Sequence, residues 1–361
     1  MKTIPLAKPQ INWRERRAVS KVLKSSSLAQ GPEVKALEKE FSKIVDGRDC
    51  VAVNSGTSAL HLSLIALGIT ENDEVIVPSF TFAATANVVA LVGAKPIFVD
   101  IDPKTYCIDP VAATKAITGN TKAIIVVHLY GLPANMNQIQ QLANKHSLLV
   151  IEDAAQAHLA AINKQNVGTF GDAAAFSFYP TKNMTAGEGG MVVLKDSTRA
   201  RVCRLLRNQG METRYQNEIV GFNLRMTDIH AAIGRCQLKK LPKATEKRIS
   251  NAKFLSDNLN SNSLPFIPEE YRHVFHQYTV RISHNRDTFS KLLKEKGVGN
   301  DVYYPTPVHK LPSFDSKIEL FNTIAAAQEV LSLPVHPSLT KNQLRRIVDA
   351  FNRVQEEIGN V

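Results

Sequence analysis

Residues 148–158 read LLVIEDAAQAH, an apolar run that ends in two carboxylates followed by small residues. The run Leu148–Glu152 predicts a buried β-strand, because it is short and nearly continuous in hydrophobicity, as strands covered on both faces are. Asp153 then lies at the carboxyl end of the strand, where α/β sheets present ligands. Gln156, three residues later, is placed to reach a second polar group of the same ligand. Taken alone, Asp153 is equally consistent with the N-cap of a following helix.

Similar apolar runs recur between residues 50 and 195, separated by stretches with helical spacing. The other predicted strands are Cys50–Asn54, Glu74–Pro78, Pro96–Asp100, Ala123–His128, Ala173–Phe178 and Met191–Leu194. The predicted helices between them include Thr57–Leu67, Ala83–Leu91 and Met136–His146. This alternation predicts a large three-layer α/β/α domain with a mostly parallel sheet.

The rhythm changes after about residue 240, which indicates a smaller C-terminal α+β domain. Its predicted elements are a helix at Lys243–Leu259, a strand at Phe275–Ile282, a helix at Asp287–Lys296 closed by Gly297, an irregular loop at Tyr303–Pro312, and a helix at Thr340–Glu357 capped by Thr340 or Asn342. We therefore expect a large domain at residues 1–244 and a small domain at residues 245–361. The segment before residue 45 is expected to pack near the small domain.

Bulk composition favours an ordinary globular protein in a reducing compartment. The chain has 361 residues, 44% hydrophobic and 21% charged, with four widely spaced cysteines that predict neither a disulfide framework nor a zinc site. The sequence shows neither a signal peptide nor a run long enough to span a membrane, so a cytoplasmic protein is expected. The net charge of +11 is spread along the chain. It therefore favours an anionic small substrate over nucleic acid.

A small polar turn follows the first predicted strand. The stretch Asn54–Leu60 reads NSGTSAL, a turn that opens a helix. Free backbone N–H groups and the positive end of the helix dipole make such a turn an anion site, and Thr57 and Ser58 add hydroxyl donors. The simpler alternative is an N-cap with no ligand.

A lysine lies in a turn after another buried strand. The stretch Ala175–Met184 reads AFSFYPTKNM and is followed by GEGGM at residues 187–191, where glycines permit close backbone approach. A desolvated lysine loses its proton and attacks carbonyl carbons, whereas a lone surface lysine is far commoner. Lys182 is a candidate catalytic residue because Asp153, Gln156 and the polar turn are also predicted to lie at strand ends of the same sheet.

These sites together match the needs of pyridoxal 5'-phosphate (PLP). Its phosphate needs an anion site, its aldehyde carbon a lysine, and its ring nitrogen an acid that keeps the nitrogen protonated. Phe82 is the candidate for an aromatic ring stacked on the cofactor, and its alternative is a core phenylalanine.

The chain resembles the DegT/DnrJ/StrS family of PLP-dependent sugar aminotransferases of fold type I over nearly its whole length. The matching stretches are PLAKP at 5–9, GTSAL at 56–60, VPSFTFAATAN at 77–87, FVDID at 98–102, VHLYG at 127–131, EDAAQAH at 152–158, SFYPTKN at 177–183, GEGG at 187–190, LRN at 206–208 and GFNLRM at 221–226.

This resemblance implies roles for individual residues. Lys182 resembles the Schiff-base lysine and Asp153 the partner of the ring nitrogen, while Gln156 stands near the ring hydroxyl. The resemblance also implies that the cofactor's phosphate binds at the turn that begins at Gly56, with Thr57, Ser58 and Ser177 as ligands. It implies that the ring of Phe82 stacks on the cofactor.

The resemblance further implies a homodimer with shared active sites. Residues 221–226 reach the neighbouring subunit's site in the family, which implies that Asn223 or Arg225 touches cofactor or substrate there. Tyr304 and His309 resemble the substrate-facing part of the small domain.

Three positions depart from the family pattern. Leu159 and Asn72 stand where glycines are usual, and Gln209 stands where a histidine is usual. Leu159 and Gln209 leave the shape of the substrate side open. A related dehydrating branch carries histidine at the lysine position, and Lys182 argues against that branch.

The implied activity is transfer of an amino group from glutamate or glutamine to a keto sugar, with pyridoxamine 5'-phosphate (PMP) as the intermediate form of the cofactor. The expected acceptor is a 3- or 4-keto-deoxysugar linked to a nucleoside diphosphate, in amino-sugar biosynthesis for a polysaccharide or antibiotic. The alternatives are a cyclitol or other carbocyclic ketone as acceptor, and a non-catalytic PLP-binding regulator.

Overall fold

A twisted β-sheet organises the larger part of the chain. The structure, a computed structural model, describes residues 3–261 and 264–359. Within these residues the N-terminal strands are β1 (Asp49–Val53), β2 (Glu74–Pro78), β3 (Lys95–Val99), β4 (Thr121–Val127), β5 (Leu149–Asp153), the two-residue strands β6 (Ala161–Ile162) and β7 (Gln165–Asn166), β8 (Ala173–Ser177) and β9 (Gly190–Leu194).

Seven of these strands form one sheet in the order β1-β9-β8-β5-β4-β2-β3. Strand β9 runs antiparallel to both of its neighbours, β1 and β8, and the remaining pairs are parallel. All seven strands predicted from the sequence are present, shifted by at most two residues at their ends. The predicted three-layer fold with a mostly parallel sheet is confirmed.

Helices cover both faces of this sheet. The helices are α1 (Trp13–Ser25), α2 (Pro32–Ser42), α3 (Gly56–Ala66), α4 (Ala84–Leu91), α5 (Pro110–Lys115), α6 (Met136–His146), α7 (Ser197–Arg207), α8 (Asp228–Asn258), α9 (Arg286–Glu295), α10 (Phe321–Glu329) and α11 (Lys341–Gly359). Side chains alternate along each strand. On β4, Ala123 and Ile125 therefore pack with α3, α4 and α7, whereas Ile124 and Val126 pack on the opposite face with α6.

The C-terminal part has its own core. Strands β11 (Tyr278–Arg281) and β12 (Val330–Leu333) pair antiparallel, and a short strand β10 (Tyr271–Arg272) joins β6. Helices α8, α9 and α11 pack beside the pair around buried aromatic rings. Gly297, with φ of 77°, ends the segment after α9, and the Oγ1 of Thr340 accepts from the Gln343 amide to cap α11.

Helix α8 differs from the sequence-based expectation. It begins at Asp228, so the predicted start at Lys243 is wrong, and Pro242 lies inside the helix. The Thr227 side chain caps it by accepting from the His230 amide. The predicted strand at Phe275–Ile282 is shorter than expected and is confined to β11. At the other end of the chain, Ile4 exchanges backbone bonds with Gly297 and Gly299 of the C-terminal part.

Two of the departures from the family pattern adopt left-handed backbone. Leu159 has φ of 65° and Gln209 has φ of 59°. Glycine is the residue that adopts this conformation without steric cost, which explains why a glycine is usual at position 159. The Leu159 carbonyl accepts a bond from the Arg272 guanidinium, which helps to hold this turn.

Candidate active site

A cavity of about 470 Å³ opens at the carboxyl ends of the central strands. Its wall is built from the turn before α3, the start of α4, the end of β5, the loop after β8 and the loop near residue 304. Eight of the twelve residues predicted for the site line it: Gly56, Thr57, Phe82, Asp153, Gln156, Ser177, Lys182 and Tyr304. The sheet topology therefore gathers residues that are up to 248 positions apart in the sequence.

Lys182 projects from the turn that follows β8. Its amide donates to the Tyr179 carbonyl at 3.0 Å, which closes the turn. Burial of the ammonium group lowers the pKa of Lys182 to about 8, and the negative charge of Asp153 acts in the opposite direction. At pH 7 Lys182 is then neutral in roughly one molecule in ten, a far larger fraction than for an exposed lysine. This raised neutral fraction suits an amine that must attack a carbonyl carbon.

Asp153 ends β5 with its side chain buried at the cavity. Its Oδ2 accepts from the Thr85 hydroxyl at 2.8 Å and its Oδ1 accepts from the Ala155 amide at 3.2 Å. Burial raises the pKa of Asp153, against the effect of these two donors and the charge of Lys182. A buried carboxylate of this kind gains most from a cationic partner, such as a protonated ring nitrogen.

The turn before α3 supplies a backbone anion site. Ser55 is the N-cap and its Oγ accepts from the Ser58 amide at 3.0 Å. The amides of Gly56 and Thr57 occupy the first helical positions, where no intrahelical acceptor exists. A Cβ on Gly56 would lie 2.7 Å from the Cβ of Ser177, so only glycine lets the turn approach the end of β8 this closely.

Gln156 is held at both ends of its side-chain amide. Its Oε1 accepts from the Tyr130 amide at 2.8 Å, and its Nε2 donates to the Tyr304 hydroxyl at 3.0 Å. Tyr130 has a left-handed φ of 58°. Burial raises the pKa of Tyr304, so its hydroxyl stays protonated.

Phe82 stands at the open side of the cavity with 59% of its surface exposed. Its ring centroid lies 6.0 Å from that of Tyr304 at a tilt of 41°. A large exposed ring beside a cavity has a free face for stacking on a planar ligand.

The structure does not bring the other four predicted residues into this cavity. The Ser58 hydroxyl donates to Asn54 Oδ1 at 2.6 Å and is used within the turn. His309 is buried, with its Nδ1 2.6 Å from the Ser79 hydroxyl. Asn223 Oδ1 accepts from the Arg225 Nε at 2.9 Å, and both residues lie on an outward-facing segment away from the cavity of their own chain.

Sequence reasoning missed several residues of the cavity wall. These are Thr81, Tyr179, Thr181, Glu188, His276, Gln277 and Tyr303. Most of them stand within or beside stretches that were already singled out. Thr85, which binds Asp153, lies four residues after Thr81 and was also missed. Four-residue spacing at the start of a predicted helix was the available signal, because it places two side chains on one face.

The donor set fits PLP. The Gly56 turn with Ser177 could receive a phosphate, a partly neutral lysine faces the same cavity, and a buried carboxylate also lines it. Gln156 and Phe82 line the same cavity and would meet the edge and the face of a planar ring. Within the described ranges there is no group of three or more His, Cys, Asp or Glu side chains placed to hold a metal ion, and no helix is long and apolar enough to cross a membrane.

Residues 9–352 match the DegT/DnrJ/EryC1/StrS aminotransferase family. A UDP-N-acetyl-3-dehydro-alpha-D-glucosamine 3-aminotransferase of Acidithiobacillus ferrooxidans is 42% identical, over 93% of this chain and 92% of its own. A pleiotropic regulatory protein of Geobacillus stearothermophilus is 41% identical over 92% of both chains.

Solved structures agree with these sequence relatives. Streptomyces venezuelae DesV, in complex with a ketimine intermediate, superposes with a TM-score of 0.94 at 36% identity and covers 98% of both chains. Bacillus subtilis NtdA with bound PMP superposes with a TM-score of 0.91 at 33% identity, over 99% of this chain and 86% of its own.

Proposed function

The chain belongs to the DegT/DnrJ/EryC1/StrS aminotransferase family, and from this premise we propose that it moves an amino group from glutamate or glutamine to a keto sugar carried by a nucleoside diphosphate. The protein is a PLP-dependent aminotransferase, and PMP is the aminated form of its cofactor. The meeting of Lys182, Asp153 and the Gly56 turn in one cavity carries the proposal.

In this proposal each residue has a distinct task. Lys182 would bond to the aldehyde carbon, and Asp153 would pair with the ring nitrogen. Gln156 would lie beside the ring hydroxyl. The amides of Gly56 and Thr57, together with Ser177, would bind the phosphate. When bound, PLP supplies a ring that takes up the electron pair left when the donor's Cα–H bond breaks.

Residues of the chain transfer the protons and supply the negative charge that stabilises the cofactor ring. The Nζ of Lys182, once free and neutral, removes the Cα proton of the amino donor, and a pKa of about 8 suits a general base near neutral pH. Asp153 stays ionised and stabilises positive charge on the cofactor ring throughout. Phe82 and Tyr304 line the side of the cavity proposed to receive the substrate.

A sugar nucleotide as acceptor is supported by three observations. The cavity of about 470 Å³ is larger than the cofactor alone needs. The net charge of +11 attracts a diphosphate. The Acidithiobacillus relative is named for a UDP-linked 3-keto sugar. We propose a 3- or 4-keto-deoxysugar linked to a nucleoside diphosphate as the acceptor.

We also propose a cytoplasmic homodimer. An arm at residues 209–225 projects from the large sheet, and it carries exposed apolar side chains such as Val220, which is 94% exposed. The Arg201 guanidinium binds Glu212 and Glu218 and so fixes the arm to α7. An outward-facing arm with Asn223 and Arg225 suits completion of a second subunit's site. All four cysteines are free thiols, which suits a reducing compartment.

The domain division at residues 244 and 245 forms part of the same proposal. In this division residues 1–244 carry the large sheet and the proposed cofactor site, and residues 245–361 carry most of the second core. Helix α8 crosses the boundary between them. The Ile4 backbone bonds tie the N-terminal segment to the second core.

The decisive experiment incubates the purified holoenzyme with glutamate or glutamine and a panel of UDP-, GDP- and dTDP-linked 3- and 4-keto sugars, and reads the products by mass. We expect conversion of at least one keto sugar to its amine, and loss of that conversion in Lys182→Ala. A carbocyclic ketone converted in preference to every sugar nucleotide would favour the cyclitol alternative. The Geobacillus relative is named as a regulatory protein, which supports keeping the alternative of a PLP-binding regulator. Cofactor binding without any turnover would favour that alternative.

A further inference from the structure

The carboxylate of Asp153 accepts a hydrogen bond from the Thr85 hydroxyl, which in turn is bonded to the Thr81 hydroxyl. Thr85 is fully buried, and its Oγ1 lies 2.8 Å from Asp153 Oδ2. Thr81 is 3% exposed, and its Oγ1 lies 3.1 Å from that of Thr85. Thr81 lines the cavity whereas Thr85 stands behind the wall.

The direction of this chain of hydrogen bonds follows from the number of available hydrogens. An ionised carboxylate only accepts, so the single hydroxyl hydrogen of Thr85 points to Asp153. The Thr85 oxygen must then accept from Thr81. The arrangement Thr81 to Thr85 to Asp153 therefore favours the ionised carboxylate and fixes its rotation.

Few other groups favour ionisation of Asp153. The Ala155 amide is its second donor, at 3.2 Å. Of the titratable groups that face it, Lys182 is cationic, His128 is bound to Glu152 at 3.0 Å, and Tyr304 is neutral. Burial works against the charge, and the Thr85 hydroxyl opposes this effect more strongly than the Ala155 amide or the Lys182 ammonium does.

We propose that Thr85 is a positioning residue that keeps Asp153 ionised and aimed at the cofactor's ring nitrogen, with Thr81 fixing the direction of the Thr85 hydroxyl. This inference rests on the proposed role of Asp153. Thr85 acts through Asp153 and does not itself reach the cavity.

Thr85→Val tests the proposal because valine keeps the volume and removes the hydroxyl. Retention of PLP by the holoenzyme is measured by absorbance after gel filtration across a pH series. We expect about tenfold weaker retention at pH 7. When the pH falls, Asp153 takes up a proton earlier in the variant, so cofactor loss begins about one pH unit higher than in wild type.

Two further variants and a matched control complete the test. Thr85→Ser keeps a hydroxyl and restores both readouts, and Thr81→Val gives a smaller loss. Thr245→Val is the control, because Thr245 is fully buried on α8 and its hydroxyl has no partner among the described residues. It leaves the retention profile unchanged.

A Thr85→Val profile that coincides with wild type would overturn this proposal and leave the proposed function intact. An equal loss in Thr245→Val, or no recovery in Thr85→Ser, would also overturn it, because the effect would then come from packing. A wild-type protein that retains no PLP at any pH would overturn both proposals together.

Discussion

The side-chain amide of Gln156 donates to the hydroxyl of Tyr304 at 3.0 Å. Gln156 follows the central strand β5, and Tyr304 belongs to a loop of the C-terminal part, so this bond joins the large sheet to a C-terminal loop at the cavity. The Tyr130 amide holds the other end of the Gln156 side chain. The position of the substrate-side loop is thereby tied to the residue proposed to stand at the cofactor's ring hydroxyl.

Tyr304→Phe removes the acceptor for the Gln156 amide and leaves a buried N–H without its partner. We expect kcat/KM for the keto sugar to fall about tenfold, because a lost neutral hydrogen bond costs about 1 kcal/mol or somewhat more. Steady-state kinetics with glutamate as donor measure this loss. Tyr271→Phe, a half-buried tyrosine outside the cavity, is the control, and an equal loss in both variants would contradict the prediction.

Lys182→Met is expected to stabilise the cofactor-free protein at pH 7. The pKa of Lys182 is near 8 in the folded chain and near 10.5 when unfolded, so the unfolded state binds more protons between these values and stability rises with pH across that window. Below pH 8 the folded protein carries the full cost of a buried ammonium. Methionine removes this cost, about 3 kcal/mol.

Thermal unfolding of cofactor-free Lys182→Met and wild type at pH 6.5–10 measures this effect. The melting temperature of the variant should exceed that of wild type by a few degrees below about pH 8. The difference should shrink as the pH rises toward 10, where the native lysine is neutral. A difference that is constant across the series would show that packing, and not charge, is responsible.

Gly56→Ala is expected to weaken PLP binding by at least tenfold. The new Cβ would lie 2.7 Å from the Ser177 Cβ, so the turn must move away from the end of β8 and the phosphate amides with it. The dissociation constant of the cofactor, measured by absorbance titration, reports the change. Gly119→Ala is the control, because its Cβ would meet no atom within 4 Å; unchanged affinity in Gly56→Ala would rule out phosphate binding at this turn.

Mixed dimers test the shared active site. Lys182→Ala and Arg225→Ala should each be inactive or nearly so when expressed alone. Co-expression produces mixed dimers in which one site combines the intact lysine of one subunit with the intact arm of its partner. About a quarter of wild-type activity is then expected, because half of the dimers carry one intact site. No recovery on co-expression would place Arg225 outside the neighbouring site.

The strands of the large sheet were predictable because each is a short apolar run bounded by polar turns, and burial on both faces demands that pattern. The start of helix α8 was not predictable, because its first half carries Pro242 and scattered charges, and this half packs against α1 and α2. The start of a helix that depends on tertiary contacts leaves little trace in local sequence.

Within the site, residue types at strand ends pointed to Lys182, Asp153 and Gln156. The choice between neighbouring hydroxyls was beyond the sequence. Ser55, Thr57 and Ser58 share one turn, and backbone geometry alone decides that Ser55 caps the helix while Ser58 binds Asn54. Thr85 was missed for a related reason: its bond to Asp153 depends on how α4 sits over β5.

The position of the antiparallel strand β9 in the sheet determines when the cofactor site can form during synthesis of the chain. Strand β1, which precedes the turn proposed to bind the phosphate, lies at the edge of the seven-stranded sheet and has β9 as its one neighbouring strand among the described residues. That partner is translated about 140 residues later, after the lysine loop. The part of the sheet that joins the Gly56 turn to the lysine loop is therefore complete only when residues 190–194 have emerged from the ribosome, and a nascent chain that ends before them is expected to be unable to capture the cofactor.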